Sequence, residues 1–187
     1  MGAAGAAAGA GGSGASRPPE AVALFDRPWL WTDERGETVA FSRWRGTPAI
    51  VTMFYTSCTL RCPLTVAKLK SVEAAFARRE VPVEIFLVTL DPRSDTPDRL
   101  LEFKRHNRLS GGEWHLLAGG ESETRELGRV LGVRPSYGDP HIDHDVKVAV
   151  VDARGALLQT IDGWHFDEDA VVNAEATPPL MRADLPR

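Results

Sequence analysis

FYTSCTLRCPLTVAKLK, residues 54–70, contains the only two cysteines of the chain, Cys58 and Cys62. It overlaps TPAIVTMFYT, an uncharged run rich in β-forming side chains, which predicts a buried central strand. After the cysteines, apolar side chains recur at helical spacing, and Pro63 stands near the first turn, where a missing N–H costs little. The two thiols are therefore predicted at a junction where a strand runs into a helix.

Strands and helices alternate along the chain between about Ala21 and Phe166. Besides the junction, the patterns predict a hairpin around residues 34–37, strands at 81–91 and 114–119, helices at 95–107 and 121–132, a hairpin at 146–163 and a weak helix from residue 167. This order predicts an α/β domain with a central mixed sheet flanked by helices and an N-terminal hairpin. A cysteine at a strand-to-helix turn in such a domain is the arrangement of thioredoxin-like folds.

The composition is that of one globular domain with a distinct N-terminal segment. The chain has 187 residues, 43% hydrophobic and 26% charged, and its net charge of −4 gives no indication of a nucleic-acid-binding protein. Its longest apolar run, AIVTMFY, is far shorter than the about 20 residues that a membrane-spanning helix needs. Residues 1–20 are rich in glycine and alanine and lack the regions of a signal peptide. We expect a flexible tail or linker at 1–20, a domain at 21–170 and a C-terminal tail at 171–187.

The spacing of the two cysteines is compatible with several chemistries. The N–H groups and the macrodipole at the start of a helix favour the thiolate, which is the reactive and metal-binding form. Four positions apart, Cys58 and Cys62 can form a disulfide or hold one soft metal ion. A dedicated dithiol exchanger more often has Cys-x-x-Cys, whereas here Thr59, Leu60 and Arg61 intervene. Two buried structural cysteines are a further alternative. A metal site needs a third ligand.

The five histidines are candidates for that ligand. His106 falls on a polar helix face and His115 in or beside a strand, which favours surface or packing roles, and His165 has no assigned role. His141 and His144 lie in a loop with Gly and Pro that runs into a strand. In a thioredoxin-like fold that loop packs beside the cysteine turn. An imidazole added to two thiolates makes a site that both oxidation states of copper can use.

Three motifs follow one another at plausible intervals: FYTSCTLRCPLT at 54–65, VTLDPRSDTPDRLLEF at 88–103 and DHDVKVAVVDARGALL at 143–158. Together they resemble the Sco/SenC family, thioredoxin-like copper proteins of cytochrome c oxidase assembly. The resemblance covers about residues 25–166.

The resemblance implies that copper, as Cu(I) or Cu(II), is held by Cys58, Cys62 and His144. His144 matches better than His141 because it directly precedes the apolar strand. The family also implies a membrane-associated protein at the periplasmic or extracytoplasmic face of the inner membrane. Its partners would be the copper A subunit of cytochrome c oxidase, or other copper proteins and copper chaperones. We expect a monomer.

Two acidic residues in the second motif have two interpretations. Asp91, followed by Pro92, is expected to end a strand, and Asp95 to cap the next helix. The resemblance suggests instead that Asp91 lies near the cysteine loop, where its carboxylate would support the metal ligands without being one.

The sequence therefore predicts a copper metallochaperone that hands copper to the copper A site or to a related protein, rather than a turnover enzyme. The alternative is a thiol–disulfide reductase that keeps a partner's copper-site cysteines reduced, in which Cys58 attacks and Cys62 resolves. A peroxidase of the peroxiredoxin type is disfavoured because Tyr55, and not threonine, stands three residues before Cys58. An interaction module with an inert disulfide is a third possibility.

Overall fold

The computed structural model of the chain describes residues 23–58, 61–137 and 142–176. Nine strands and four helices lie within these ranges, together with short 3₁₀ turns. The strands are β1 (Trp31–Asp33), β2 (Thr38–Val39), β3 (Ala49–Phe54), β4 (Glu84–Thr89), β5 (Trp114–Gly119), β6 (Ser136–Tyr137), β7 (Ile142–Asp143), β8 (Lys147–Val151) and β9 (Leu157–Asp162), and the helices are α1 (Arg61–Arg78), α2 (Pro97–His106), α3 (Glu121–Leu131) and α4 (Glu168–Ala176).

Seven strands form one mixed sheet in the order β2-β1-β5-β4-β3-β8-β9. Strands β3, β4 and β5 run parallel, whereas β1 pairs antiparallel with β5, and β8 with β3. Every residue of β3 is buried, as expected of a central strand covered on both faces. Because the three parallel strands end at the same edge, the cysteine turn after β3 lies beside the segments that follow β4 and β5.

The core has one layer on each face of the sheet. On one face, Ile50 and Phe54 of β3 pack with apolar side chains of α1, α2 and α4. On the other, Val51 and Met53 pack with α3 and with aromatic residues near the N-terminal hairpin. The predicted α/β arrangement, a thioredoxin-like mixed sheet flanked by helices with an N-terminal hairpin, is confirmed.

Helix α4 closes the first of these layers. Its Val171 and Val172 are buried in the core, and the helix runs to Ala176. The predicted N-terminal tail lies outside the described residues. Within the described ranges, none of the helices has both the length and the apolar character that crossing a membrane requires.

Candidate metal centre

The turn between β3 and α1 brings the two cysteines together. The N–H of Cys58 donates to the carbonyl oxygen of Tyr55 at 3.2 Å, which closes the turn. The N–H of Cys62 then donates to the Cys58 sulfur at 3.3 Å. The first N–H groups of a helix have no partner within it, and the Cys58 sulfur accepts one of them. The two residues are not joined by a disulfide in this structure.

The two thiols have different surroundings. Cys58 is half-buried, whereas Cys62 is only 3% exposed and belongs to the core layer beneath α1. Burial raises the pKa of the Cys62 thiol, and the Cys58 side chain raises it further. A hydrogen bond with the backbone of Tyr55 lowers this pKa, but by less. Burial therefore favours the thiol form of Cys62. The expectation that the helix start favours the thiolate at both positions is not met at Cys62, where burial raises the pKa of the thiol.

Tyr55 lies between the cysteine turn and the histidine loop. Its side chain is 5% exposed, and its ring meets the ring of His144 edge to face with centroids 6.0 Å apart. Burial raises the pKa of Tyr55 to about 12, and a hydrogen bond from its hydroxyl to the Cys58 side chain acts in the same direction. The backbone of Ile142 is also within hydrogen-bonding reach of this hydroxyl. One side chain thus contacts both parts of the predicted site.

His144 is buried, and its ring orientation is fixed. Its Nδ1 lies 2.9 Å from the backbone oxygen of Asp145. A carbonyl oxygen only accepts, so Nδ1 carries the proton and the lone pair is on Nε2, which is itself buried. Metal-binding histidines commonly use this pattern, in which one nitrogen donates to a carbonyl and the other is directed to the metal.

The three predicted ligands are not gathered into a closed site. Cys58 and Cys62 are in contact, whereas the Tyr55 ring packs between the turn and His144. Across the described parts of the chain, no group of three or more His, Cys, Asp or Glu side chains is close enough to hold a metal ion. His141 lies outside the described residues, as do residues 59 and 60.

The other histidines occupy different environments. His115 is buried beside Glu84, with its Nε2 at 2.6 Å from a carboxylate oxygen, and it stacks on Phe86. His165 packs against Trp164 near the end of the sheet. His106 was expected to be a surface residue; it is exposed on α2 and lines the same cleft as Cys58.

A buried carboxylate supports the cysteine turn from behind. Asp95 is 2% exposed and accepts hydrogen bonds from the Thr56 N–H at 3.1 Å and from the hydroxyls of Thr56 and Thr89. It does not cap α2 as expected, because Thr96 takes that position and accepts from the Arg99 N–H. The acidic residue bonded to the turn is thus Asp95.

Asp91, which the resemblance places near the cysteines, makes a local contact. Its carboxylate accepts from the N–H of Ser94 at 3.3 Å, and its backbone oxygen accepts from the N–H of Asp95 at 2.9 Å. These bonds shape the loop after β4, as the strand-ending interpretation expects.

An open cleft of about 500 Å³ leads to Cys58. Its walls come from the cysteine turn on one side and from α2 on the other, and they include Ser57, Cys58, Arg99, Glu102, Phe103 and His106. Cys62 does not line it. Reagents or partners that enter this cleft therefore meet the Cys58 side of the pair.

The donor set suits a soft, redox-active metal ion and also thiol exchange. Two thiolates satisfy Cu(I), and an imidazole nitrogen in addition suits Cu(II). Two cysteines at a helix start can also form a disulfide, since the required Cα separation of about 4.4–6.8 Å is within reach of such a turn. The fold and the residues are compatible both with copper binding and with thiol–disulfide exchange.

Known proteins match the chain along most of its length. A model of the SCO1/SenC family matches residues 17–177. The SCO1 protein homolog of Bacillus subtilis is 23% identical over 141 residues, which are 73% of this chain and 72% of that protein.

Solved structures share the fold. They include Arabidopsis thaliana ScoI with copper bound (TM-score 0.69, 19% identity, covering 80% of this chain and 94% of that one) and a SCO1/SenC family lipoprotein from Bacillus anthracis (TM-score 0.73, 15% identity, 84% and 97%). Another is BsSco, described as a member of the Sco family of cytochrome c oxidase assembly proteins with a disulfide switch (TM-score 0.71, 20% identity, 84% and 94%). At these identities the likeness establishes the fold.

Proposed function

The chain belongs to the SCO1/SenC family, and from that premise we propose that it is a copper-binding protein of cytochrome c oxidase assembly. It acts as a metallochaperone rather than as a turnover enzyme. It receives copper and delivers it to the copper A site of an oxidase subunit or to a related copper protein. The copper-bound Arabidopsis protein and the oxidase-assembly description of BsSco support this proposal.

We assign Cys58, Cys62 and His144 as the copper ligands. The observation that carries the assignment is the position of Tyr55, whose ring packs on His144 and whose hydroxyl bonds to Cys58. The histidine loop and the cysteine turn are therefore both in contact with a single side chain. Because burial keeps Cys62 protonated, copper must displace a proton there, and binding should weaken as the pH falls.

Delivery proceeds by ligand exchange. Incoming thiolates or imidazoles of the acceptor replace the protein ligands one at a time, so copper changes partners without being released into water. By analogy with the lipoprotein relative, the protein works at the extracytoplasmic face of the membrane. It acts there as a monomer.

Replacement of His144 tests the ligand assignment. His144→Ala should weaken Cu(II) binding by at least ten-fold and remove its spectrum, because Cu(II) favours nitrogen and more than two ligands. Cu(I) binding should change much less, since two thiolates satisfy that ion. Competition titrations with chelators of each oxidation state measure both affinities.

Two histidine variants are the controls. His141→Ala should be nearly silent for both ions, and so should His165→Ala, whose ring packs on Trp164. Wild-type Cu(II) affinity in His144→Ala would refute the assignment. A larger loss in His141→Ala would move the third ligand to that residue. Unchanged copper stoichiometry in Cys58→Ser/Cys62→Ser would refute the copper function itself.

A thiol–disulfide reductase is the second candidate, and the asymmetry of the cysteines favours it. The half-buried Cys58 would attack a partner disulfide, and the buried Cys62 would resolve the mixed disulfide. The disulfide switch described for BsSco is consistent with such chemistry. His144→Ala separates the two functions, because it removes a copper ligand but leaves both thiols and the helix start intact.

A further inference from the structure

We propose that the cleft beside Cys58 is the docking surface for the copper acceptor, and that it receives the extended polypeptide segment that carries the acceptor's cysteine ligand. This inference rests on the proposed function and names the place where the partner binds. The cleft lies between the cysteine turn and α2.

The first argument is access to the sulfur atoms. Cys62 is 3% exposed and is covered by the core layer, so a partner thiolate does not reach it from outside. Cys58 is half-buried, and it lines the cleft. On the other side, Tyr55 and His144 are both at most 5% exposed. Among the residues that the structure describes, the open approach to Cys58 is thus along the cleft.

The second argument is the size and chemistry of the walls. A volume of about 500 Å³ exceeds what one cysteine side chain fills and falls within the range of about 300–1,000 Å³ typical of ligand sites. The Phe103 ring supplies an apolar wall, backed by contact with Phe54 at a centroid distance of 4.9 Å. Ser57 offers a hydroxyl near the thiol. An apolar wall with polar groups along it suits an extended peptide.

The third argument is charge. Arg99 and Glu102 both line the cleft and are both exposed, so the α2 wall presents a cation and an anion about one turn apart. A peptide in the cleft is therefore oriented by its own charges. Changing one wall charge should alter which peptides react, without altering the thiol itself.

Peptide disulfide exchange tests this. In the Cys62→Ser background, a short peptide is used whose cysteine is activated as a 2-thiopyridyl disulfide, with one flanking Lys or one flanking Glu. The Cys58 thiolate attacks the peptide sulfur, a new S–S bond forms, the old one breaks, and 2-thiopyridine leaves with the electron pair and is followed by its absorbance. Each rate is divided by the rate with methyl methanethiosulfonate, a small neutral reagent.

Glu102→Lys should slow the Lys-flanked peptide and speed the Glu-flanked one by about five-fold each at low salt, as expected for a two-unit charge change at about 8 Å in water. The matched control is Glu80→Lys, in the turn that follows the C-terminal end of α1. It makes the same charge change about 27 Å from the cysteine turn, beyond the screening length. We expect less than a 1.5-fold effect there. His106→Trp, which narrows the cleft, should slow both peptides several-fold but not the small reagent.

Equal effects of Glu102→Lys and Glu80→Lys would overturn the inference. So would a His106→Trp variant that reacts normally with both peptides. The test is separate from that of the copper function: peptide selectivity in a protein that fails to bind copper would retain the cleft and refute the chaperone. Copper binding without peptide selectivity would retain the copper function and refute the cleft as the docking surface. Circular dichroism of each variant confirms that it is folded.

Discussion

Removal of the Asp95 carboxylate is the most direct test of how the cysteine turn is held. The carboxylate is 2% exposed and accepts from one N–H and two hydroxyls. Thr56 supplies two of these donors and lies two residues before Cys58. Thr89 supplies the third, from the end of β4. Asp95 therefore ties the turn to the neighbouring strand.

The expected cost follows from those bonds. A hydrogen bond to a charged group contributes about 1.5–3 kcal/mol, and each buried donor left unpaired costs about 1–3 kcal/mol. Because the three bonds share one acceptor, they are not additive, and Asp95→Ala should lower the free energy of unfolding by about 3–5 kcal/mol. Asp95→Asn keeps one acceptor oxygen and should lose about 1–2 kcal/mol. For a chain of this size, 1 kcal/mol corresponds to about 2–4 °C in Tm.

Urea unfolding followed by circular dichroism measures these losses. Asp91→Ala is the matched control, because Asp91 stands four residues earlier in the same loop and its carboxylate accepts a local bond from the Ser94 N–H. It should cost less than about 1 kcal/mol. A loss below about 1 kcal/mol in Asp95→Ala, or a larger one in Asp91→Ala, would refute the argument that Asp95 anchors the turn.

Three smaller perturbations test other contacts. Tyr55→Phe removes the hydroxyl that bonds to Cys58. Because such a hydrogen bond stabilises the Cys58 thiolate by about 1 kcal/mol, alkylation of Cys58 by iodoacetamide at neutral pH should slow by about three- to ten-fold in this variant. Mild oxidation should join Cys58 to Cys62 with the loss of two hydrogens by mass spectrometry, and this form should bind no copper; full binding by it would contradict the assignment. Burial raises the pKa of Asp33, but hydrogen bonds from the hairpin N–H groups and from Arg35 lower it by more, so the net shift is downward. The Asp33 carboxylate therefore stabilises the folded protein above about pH 4, and this contribution is lost as the pH falls below that value. Asp33→Asn should therefore cost about 1–2 kcal/mol in urea titrations at pH 7, and progressively less as the pH falls below about 4.

The sheet and its helices were predictable because their patterns are local and periodic. Strand β3 is uncharged and β-rich, and α1 repeats its apolar side chains at helical spacing, so both were placed from the sequence. The helix predicted at 121–132 is α3, and Gly132 caps its end in the left-handed conformation, with φ of 74°, that suits glycine. The strands β6 and β7 were missed, because two-residue strands have no period to detect.

The surroundings of the cysteines were less predictable, because they depend on contacts between distant positions. Asp95 precedes a helix, and from sequence alone such a residue is a cap; its bond to Thr56, 39 positions away, is decided by tertiary packing. The position of Tyr55 three residues before Cys58 argues against a peroxidase, but nothing in its local sequence indicates that it packs on His144. The burial that keeps Cys62 protonated is likewise a property of the assembled core.

The unequal burial of the two cysteines implies an order for copper release. In the proposed function, a copper ion on Cys62 would have the core layer on one side and the Tyr55–His144 pair on another, so an incoming ligand would approach it past Cys58. Exchange would then begin with the acceptor thiolate competing with Cys58 in the cleft. Cys62 would release copper last, with a proton returning to a sulfur that burial favours as the thiol. The return of that proton would favour transfer, because the emptied site would regain the protonation state that burial prefers.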